Sequence, residues 1–145
     1  MPARGLTQMH GRFLSPRGFL LDTNVVIALQ KQDRSITRRI TPEMALYSYL
    51  PSIVLGELFL GAHRSGRMHQ NLLDVKSLPR TFPILPCNAG TAEAYGRLYA
   101  HLLDKGRPIP ENDIWIAAIA HQRGLTLLTR DNHFTYIDFL SVIVW

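Results

Sequence analysis

The sequence predicts a three-layer α/β/α sandwich around a mainly parallel sheet. Short apolar runs bounded by polar or turn residues recur along the chain, and each is followed by a stretch with helical spacing. Strands that alternate with helices build parallel sheets covered on both faces. The length, 145 residues, suits one domain, and a composition of 46% hydrophobic and 19% charged residues is that of a globular protein rather than a disordered one. A chain this long buries about two-thirds of its unfolded surface and needs neither disulfides nor a structural metal to fold.

Residues 1–17 carry Pro2, Gly5, Gly11 and Pro16 without sustained periodicity. They read as a flexible extension, with a folded domain over 18–145. Phe19-Leu20-Leu21 is a buried strand closed by Asp22, and Thr23 or Asn24 is the expected cap of a helix from Val25 to Gln30. A polar stretch with Arg34, Arg38 and Arg39 reads as a loop leading to a helix near Pro42. Tyr47 to Leu50 reads as a second strand broken by Pro51, and Ser52 opens an apolar helix through about His63. Gly66 separates it from a helix over Met68 to Leu78, and Phe82 to Leu85 is a third strand, with Pro83 favouring an edge.

The segment Ala89 to Lys105 is the clearest helix. Tyr95, Leu98, Tyr99 and Leu102 fall at i, i+3, i+4 and i+7, and Gly106 stops it. Asn112 to Arg123 is a further helix ended by Gly124. Leu125 to Thr129 is a strand, Asn132 to Phe139 a turn or short helix, and Val142 to Val144 a last strand.

Sixteen basic against eleven acidic residues give a net charge of +5, and thirteen of the sixteen are arginine. Arginine's planar fork suits phosphate, so the balance points to a polyanionic partner without proving one. The single Cys87 excludes an intramolecular disulfide and a cysteine-rich zinc site, and fits a reducing, cytoplasmic setting. Arg4, Arg12 and Arg17 punctuate the N-terminus, which is not expected to be a secretory signal, and no apolar run approaches the length of a membrane helix.

Four carboxylates stand alone against apolar sequence. Asp22 is the sole charge in Phe19 to Leu29, and Glu57 the sole charge in Ile53 to Ala62. Asp113 is the last acid before the apolar run Ile114 to Ala120, and Asp131 follows the strand Leu125 to Thr129 by way of Arg130. A carboxylate beside a core is costly unless something compensates it, and four converging acids would repel one another. A divalent cation removes that cost, and carboxylate oxygens suit Mg²⁺ or Mn²⁺. Each acid also has a plain structural reading: Asp22 as a helix cap, Asp113 as a first-turn acid favoured by the helix dipole, Asp131 in an Asx turn, Glu57 paired with a distant arginine. All four holding at once is the less economical account. Thr23, Asn24, Asn112 and Thr129 flank the acids and are suited to orient them or to hold metal-bound water.

Other catalytic systems fit worse. No GxSxG, P-loop, GxGxxG or HExxH pattern occurs. His63, His69, His101 and His121 lie in helical stretches and are expected at the surface. His133, two residues past Asp131, either approaches the site or serves a turn. Cys87 reads as a buried small apolar residue and Trp115 as core.

The runs Leu21-Asp22-Thr23-Asn24, Asn112-Asp113-Ile114-Trp115-Ile116-Ala117-Ala118 and Leu128-Thr129-Arg130-Asp131-Asn132-His133-Phe134, with Glu57 in an apolar helix between the first two, resemble the PIN-domain nucleases. More narrowly, they are similar to VapC-type toxins of toxin–antitoxin pairs. The resemblance spans about residues 18–145. It implies a Mg²⁺- or Mn²⁺-dependent endoribonuclease held inactive by a cognate antitoxin, with an RNA substrate and a homodimeric state. It assigns Asp22, Glu57, Asp113 and Asp131 to the catalytic, metal-binding cluster, and Asn24 and Thr129 to its support; Asn112, which flanks Asp113, is a further supporting candidate. The extension before Gly18 is longer than the family's usual start. Two readings stand beside it: a stand-alone PIN ribonuclease of RNA processing, and a catalytically silent nucleic-acid-binding module. A phosphatase or phospho-receiver also places Asp at strand ends. However, Asn24 stands where a phosphatase needs a second Asp, and none of Lys31, Lys76 and Lys105 follows a strand.

Overall fold

The computed structural model describes residues 18–145, so the expectation for the first seventeen residues lies outside it. Five strands, β1 (Phe19–Leu21), β2 (Ser48–Pro51), β3 (Ile84–Leu85), β4 (Thr126–Thr129) and β5 (Val142–Val144), form one sheet in the order β3-β2-β1-β4-β5. Every pairing is parallel. Helices α1 (Thr23–Gln30), α2 (Arg34–Thr37), α3 (Pro42–Leu46), α4 (Ser52–His63), α5 (Met68–Thr81), α6 (Ala89–Lys105) and α7 (Glu111–Arg123) cover both faces, which is the sandwich the alternating pattern predicts. A 3-10 turn over Asn132–Tyr136 joins β4 to β5.

The strands are near-continuous apolar runs because both faces of the sheet are covered. Leu20, Leu21, Leu127 and Leu128 are fully buried, in register across the β1–β4 pair. Helix α7 is buried almost all round, with Ile114, Ile116 and Ala117 to Ala120 sealed from solvent. Its alanines let α6 and the sheet approach closely. Gly124 ends α7 at φ 66°, the left-handed conformation that glycine adopts without penalty.

Several boundaries differ from expectation for local reasons. Helix α1 begins at Thr23 because Asp22, not Thr23 or Asn24, is its cap: the Asp22 carboxylate accepts the Thr23 N–H and its carbonyl accepts from Val25 and Val26. Helix α5 runs past Leu78 to Thr81 and carries Pro79 in its last turn, where the missing N–H costs one bond of the ladder. Strand β3 shrinks to two residues, since Phe82 ends α5 and Pro83 contributes only its carbonyl, to Leu50 N–H. Cys87 is exposed rather than buried. His63 and His69 are exposed as expected, but His101 and His121 are half-buried, with the Phe139 ring 5.0 and 5.2 Å from theirs. Trp115 is half-buried and stacks on Tyr95 at 3.9 Å.

Chain order places the site. The chain builds β1, β2 and β3 outward in one direction, then crosses to β4 on the other side of β1. Beyond the carboxyl ends of β1 and β4, the connections diverge and leave a crevice. Asp22 follows β1, and Asp131 follows β4.

Candidate active site

Asp22 occupies the floor of the crevice. Only 5% of its surface is exposed, and its backbone N–H continues the sheet ladder to Leu128 O at 3.0 Å. The Thr129 hydroxyl donates to Asp22 Oδ2 at 2.6 Å, and the Thr23 N–H donates to Oδ1 at 2.8 Å. Asn24 Nδ2 adds a longer contact to Oδ2 at 3.3 Å. Burial pushes the Asp22 carboxyl above its usual range; the bonds from Thr129 and Thr23 work against that, and the Glu57 and Asp131 charges add to it.

Thr129 links two acids. Its hydroxyl donates to Asp22 and accepts the Asp131 N–H at 2.9 Å. The Asp131 carboxylate then caps the 3-10 turn by accepting the His133 N–H at 2.9 Å, while His133 Nδ1 lies 2.9 Å from the same oxygen. Asp131 thus makes the Asx turn and also lies beside Asp113. Asp113 enters from the first turn of α7. Burial, followed by the charges of Asp22, Asp131 and Glu57, drives its carboxyl up to about 6, and His133 opposes the rise.

Glu57 stands on α4 at the rim. Among the described residues, no arginine pairs with it. Its Oε1 accepts from the Thr23 hydroxyl and its Oε2 from Asn112 Nδ2 at 3.1 Å, so α4 is tied to the starts of α1 and α7. All four neutral polar residues flanking the acids in the sequence thus bond to one of them.

The tightest donor set is Asp113, Asp131 and His133, each offering an atom within 4.8 Å of the other two. Asp22 and Glu57 lie outside that triangle but close enough to raise the Asp113 carboxyl. His133, for which the sequence offers both a site and a turn role, joins this set, and its spacing two past Asp131 is its one local signal. Among the described residues, no Lys or Arg pairs with Asp22, Glu57, Asp113 or Asp131, and His133 supplies the sole basic contact. Carboxylate oxygens with one imidazole form a donor set that suits a hard divalent ion. The residues present fit such an ion on charge and chemistry.

A groove of about 580 Å³ between α1, α4 and α5 adjoins the rim at Glu57. Ile27, Leu58, Ala62 and Val75 give it an apolar lining, with Lys31 and Arg67 among its walls.

The PIN domain family model matches residues 19–140. The chain is 30% identical over 124 residues to the ribonuclease VapC5 of Mycobacterium tuberculosis, which covers 86% of this chain and 90% of that protein. It is 30% identical to the tRNA(fMet)-specific endonuclease VapC of Shigella flexneri, over 78% and 86% of the two chains. Among solved structures, the DNA-bound VapBC of Salmonella typhimurium superposes with a TM-score of 0.80 at 28% identity, covering 88% of this chain and 98% of that one. The five-stranded parallel sheet, the acids at its carboxyl edge and these likenesses agree: the chain belongs to the PIN-domain family and, within it, to the VapC-type ribonucleases.

Proposed function

We propose that this chain is the endoribonuclease toxin of a toxin–antitoxin pair and that Asp22, Glu57, Asp113 and Asp131 form its metal-dependent centre, with Mg²⁺ as the working ion and Mn²⁺ able to replace it. One observation carries the reading. Acids from four separate parts of the chain meet at the β1–β4 crevice with no Lys or Arg paired to any of them among the described residues. Those four acids would hold the divalent ion, which would supply activation of water and compensation of phosphate charge.

The residues divide the remaining work. Asp22 is held rigid by Thr129 and Thr23, so its carboxylate presents a fixed direction to the crevice. Asp113 and Asp131 offer the closest oxygens, and His133 braces Asp131. Glu57, fixed by Thr23 and Asn112, closes the rim. Asn24 supports Asp22 on one side and the Arg130 N–H on the other. Arginines away from the cluster meet the flanking phosphates of an RNA, so binding weakens as salt rises.

The relatives named as VapBC complexes support a cognate antitoxin as the protein partner. The groove at Glu57 is an apolar surface on which a partner segment would lie beside the site. A homodimer is part of the same proposal. Among the described residues no helix is long and apolar enough to cross a membrane, which fits a cytoplasmic setting.

The test is expression with and without the protein encoded beside it, followed by mapping of RNA ends. Toxicity and new RNA ends that vanish with the partner support the reading. Growth and RNA ends unchanged by the chain alone refute the toxin assignment.

A further inference from the structure

Arg130 lies in sequence between two parts of the cluster, yet its guanidinium does not join them. Thr129, whose hydroxyl holds Asp22, precedes it, and Asp131 follows. A cation one residue from a cluster of acids is drawn toward it by simple electrostatics. Instead, Nη2 lies 2.9 Å from Asp33 Oδ2 and donates to Ser35 Oγ at 2.6 Å, at the start of α2. Asp33 is itself fixed there, because its Oδ1 accepts the Ser35 N–H at 2.9 Å and the Ser35 hydroxyl at 2.7 Å. On the backbone side, the Arg130 N–H donates to Asn24 Oδ1 at 3.1 Å. Arg130 is therefore gripped at both ends by residues about a hundred positions away in sequence.

We propose that Asp33 and Arg130 are positioning residues for the metal-binding acids. Their ion pair fixes the backbone between Thr129 and Asp131 and keeps the guanidinium charge out of the carboxylate cluster. The inference rests on the ribonuclease reading above. The backbone effect is direct, since the Arg130 peptide joins the residue that holds Asp22 to the residue that offers a metal ligand. The charge effect follows from release. A guanidinium freed from Asp33 would stay one residue from Asp131 and, drawn by the carboxylate charge, compete with a dication for it.

The test uses the full chain, with Mn²⁺ as the probe by calorimetry, RNA cleavage kinetics, and melting temperature as a check on folding. Asp33→Asn keeps the α2 cap but removes the charge that holds Arg130. It is expected to weaken Mn²⁺ binding and lower kcat by about 10–100-fold, the usual effect of losing a group that orients metal ligands. KM for RNA and the melting temperature stay near the wild-type values, because a partly exposed ion pair adds little to stability. Asp33→Glu restores the pair and recovers most of the metal affinity. Arg130→Met also weakens Mn²⁺ binding, and adding Asp33→Asn to it brings no further loss, since the pair acts as a unit. Wild-type Mn²⁺ affinity in Asp33→Asn overturns the inference. So does a rise in KM with kcat and metal affinity unchanged, which would make the pair an RNA contact. A wild-type chain that neither binds Mn²⁺ nor cuts RNA overturns the ribonuclease reading and this inference with it. A wild-type chain that does both, beside an indifferent Asp33→Asn, overturns this inference alone.

Discussion

Thr129 Oγ1 lies 2.6 Å from Asp22 Oδ2, a buried hydrogen bond between residues 107 apart in sequence. The same oxygen accepts the Asp131 N–H, so one hydroxyl ties the end of β1 to the turn after β4. Replacing Thr129 by Val removes donor and acceptor together and leaves a buried carboxylate short of a partner. The expected loss is about 1–3 kcal/mol of stability, together with a fall in RNA cleavage. Thr129→Ser keeps the hydroxyl and should retain most of both. Chemical denaturation and a cleavage assay on the two variants decide it.

Asp22→Asn should abolish metal-dependent RNA cleavage while leaving the fold intact. The amide keeps the shape and removes a buried charge, so the metal-free variant should melt at or above the wild-type temperature. Cleavage at the wild-type rate in the presence of Mg²⁺ would show that Asp22 is not part of the centre.

Stability of the metal-free protein should depend on pH through Asp113. Its folded carboxyl titrates at about 6 against an unfolded value near 3.8, so the folded state holds the proton more tightly. The resulting stabilisation is fully present below about pH 4 and is lost as pH rises through about 6. Asp22 acts in the same direction. Denaturant melts in a chelator between pH 4.5 and 7.5 should show falling stability, flattened by Asp113→Asn and recovered at the upper end by Mg²⁺. Asp33 works with the opposite sign. Ser35 and Arg130 hold its carboxyl down at about 2, so its contribution is lost as pH falls from about 4 toward 2.

Metal affinity should also fall on acidification. Asp113 must be ionised to serve as a ligand, so Mn²⁺ binding releases protons near pH 6 and weakens below it. Calorimetry in two buffers of different ionisation enthalpy measures the proton count directly.

Gly18→Ala tests the entry to β1. Gly18 sits at φ 137°, and an added Cβ would meet Tyr47 O at 2.6 Å. The expected cost is about 1–3 kcal/mol, read as a lowered denaturation midpoint with catalysis preserved in the folded fraction.

Local pattern in the sequence determined the order and type of most elements; helix α2, in a polar stretch that reads as a loop, is an exception. Phe19–Leu21, Ala89–Lys105 and Val142–Val144 carry their period and their stop signals within a few residues, so their limits were legible directly. Asp22, Glu57, Asp113 and Asp131 stand out as candidates in the same way, because a lone charge beside an apolar run is visible without knowledge of the fold. Tertiary structure decided what those acids meet. The strand order that sets β1 beside β4 brings Thr129 to Asp22, Asn112 to Glu57 and Arg130 to Asp33, across separations that no local period encodes. It also put Cys87 in solvent and turned His133 toward Asp131. Side-chain periodicity reports which face of an element is buried; which distant groups share a crevice depends on sheet order and register, which are settled only when the whole core packs.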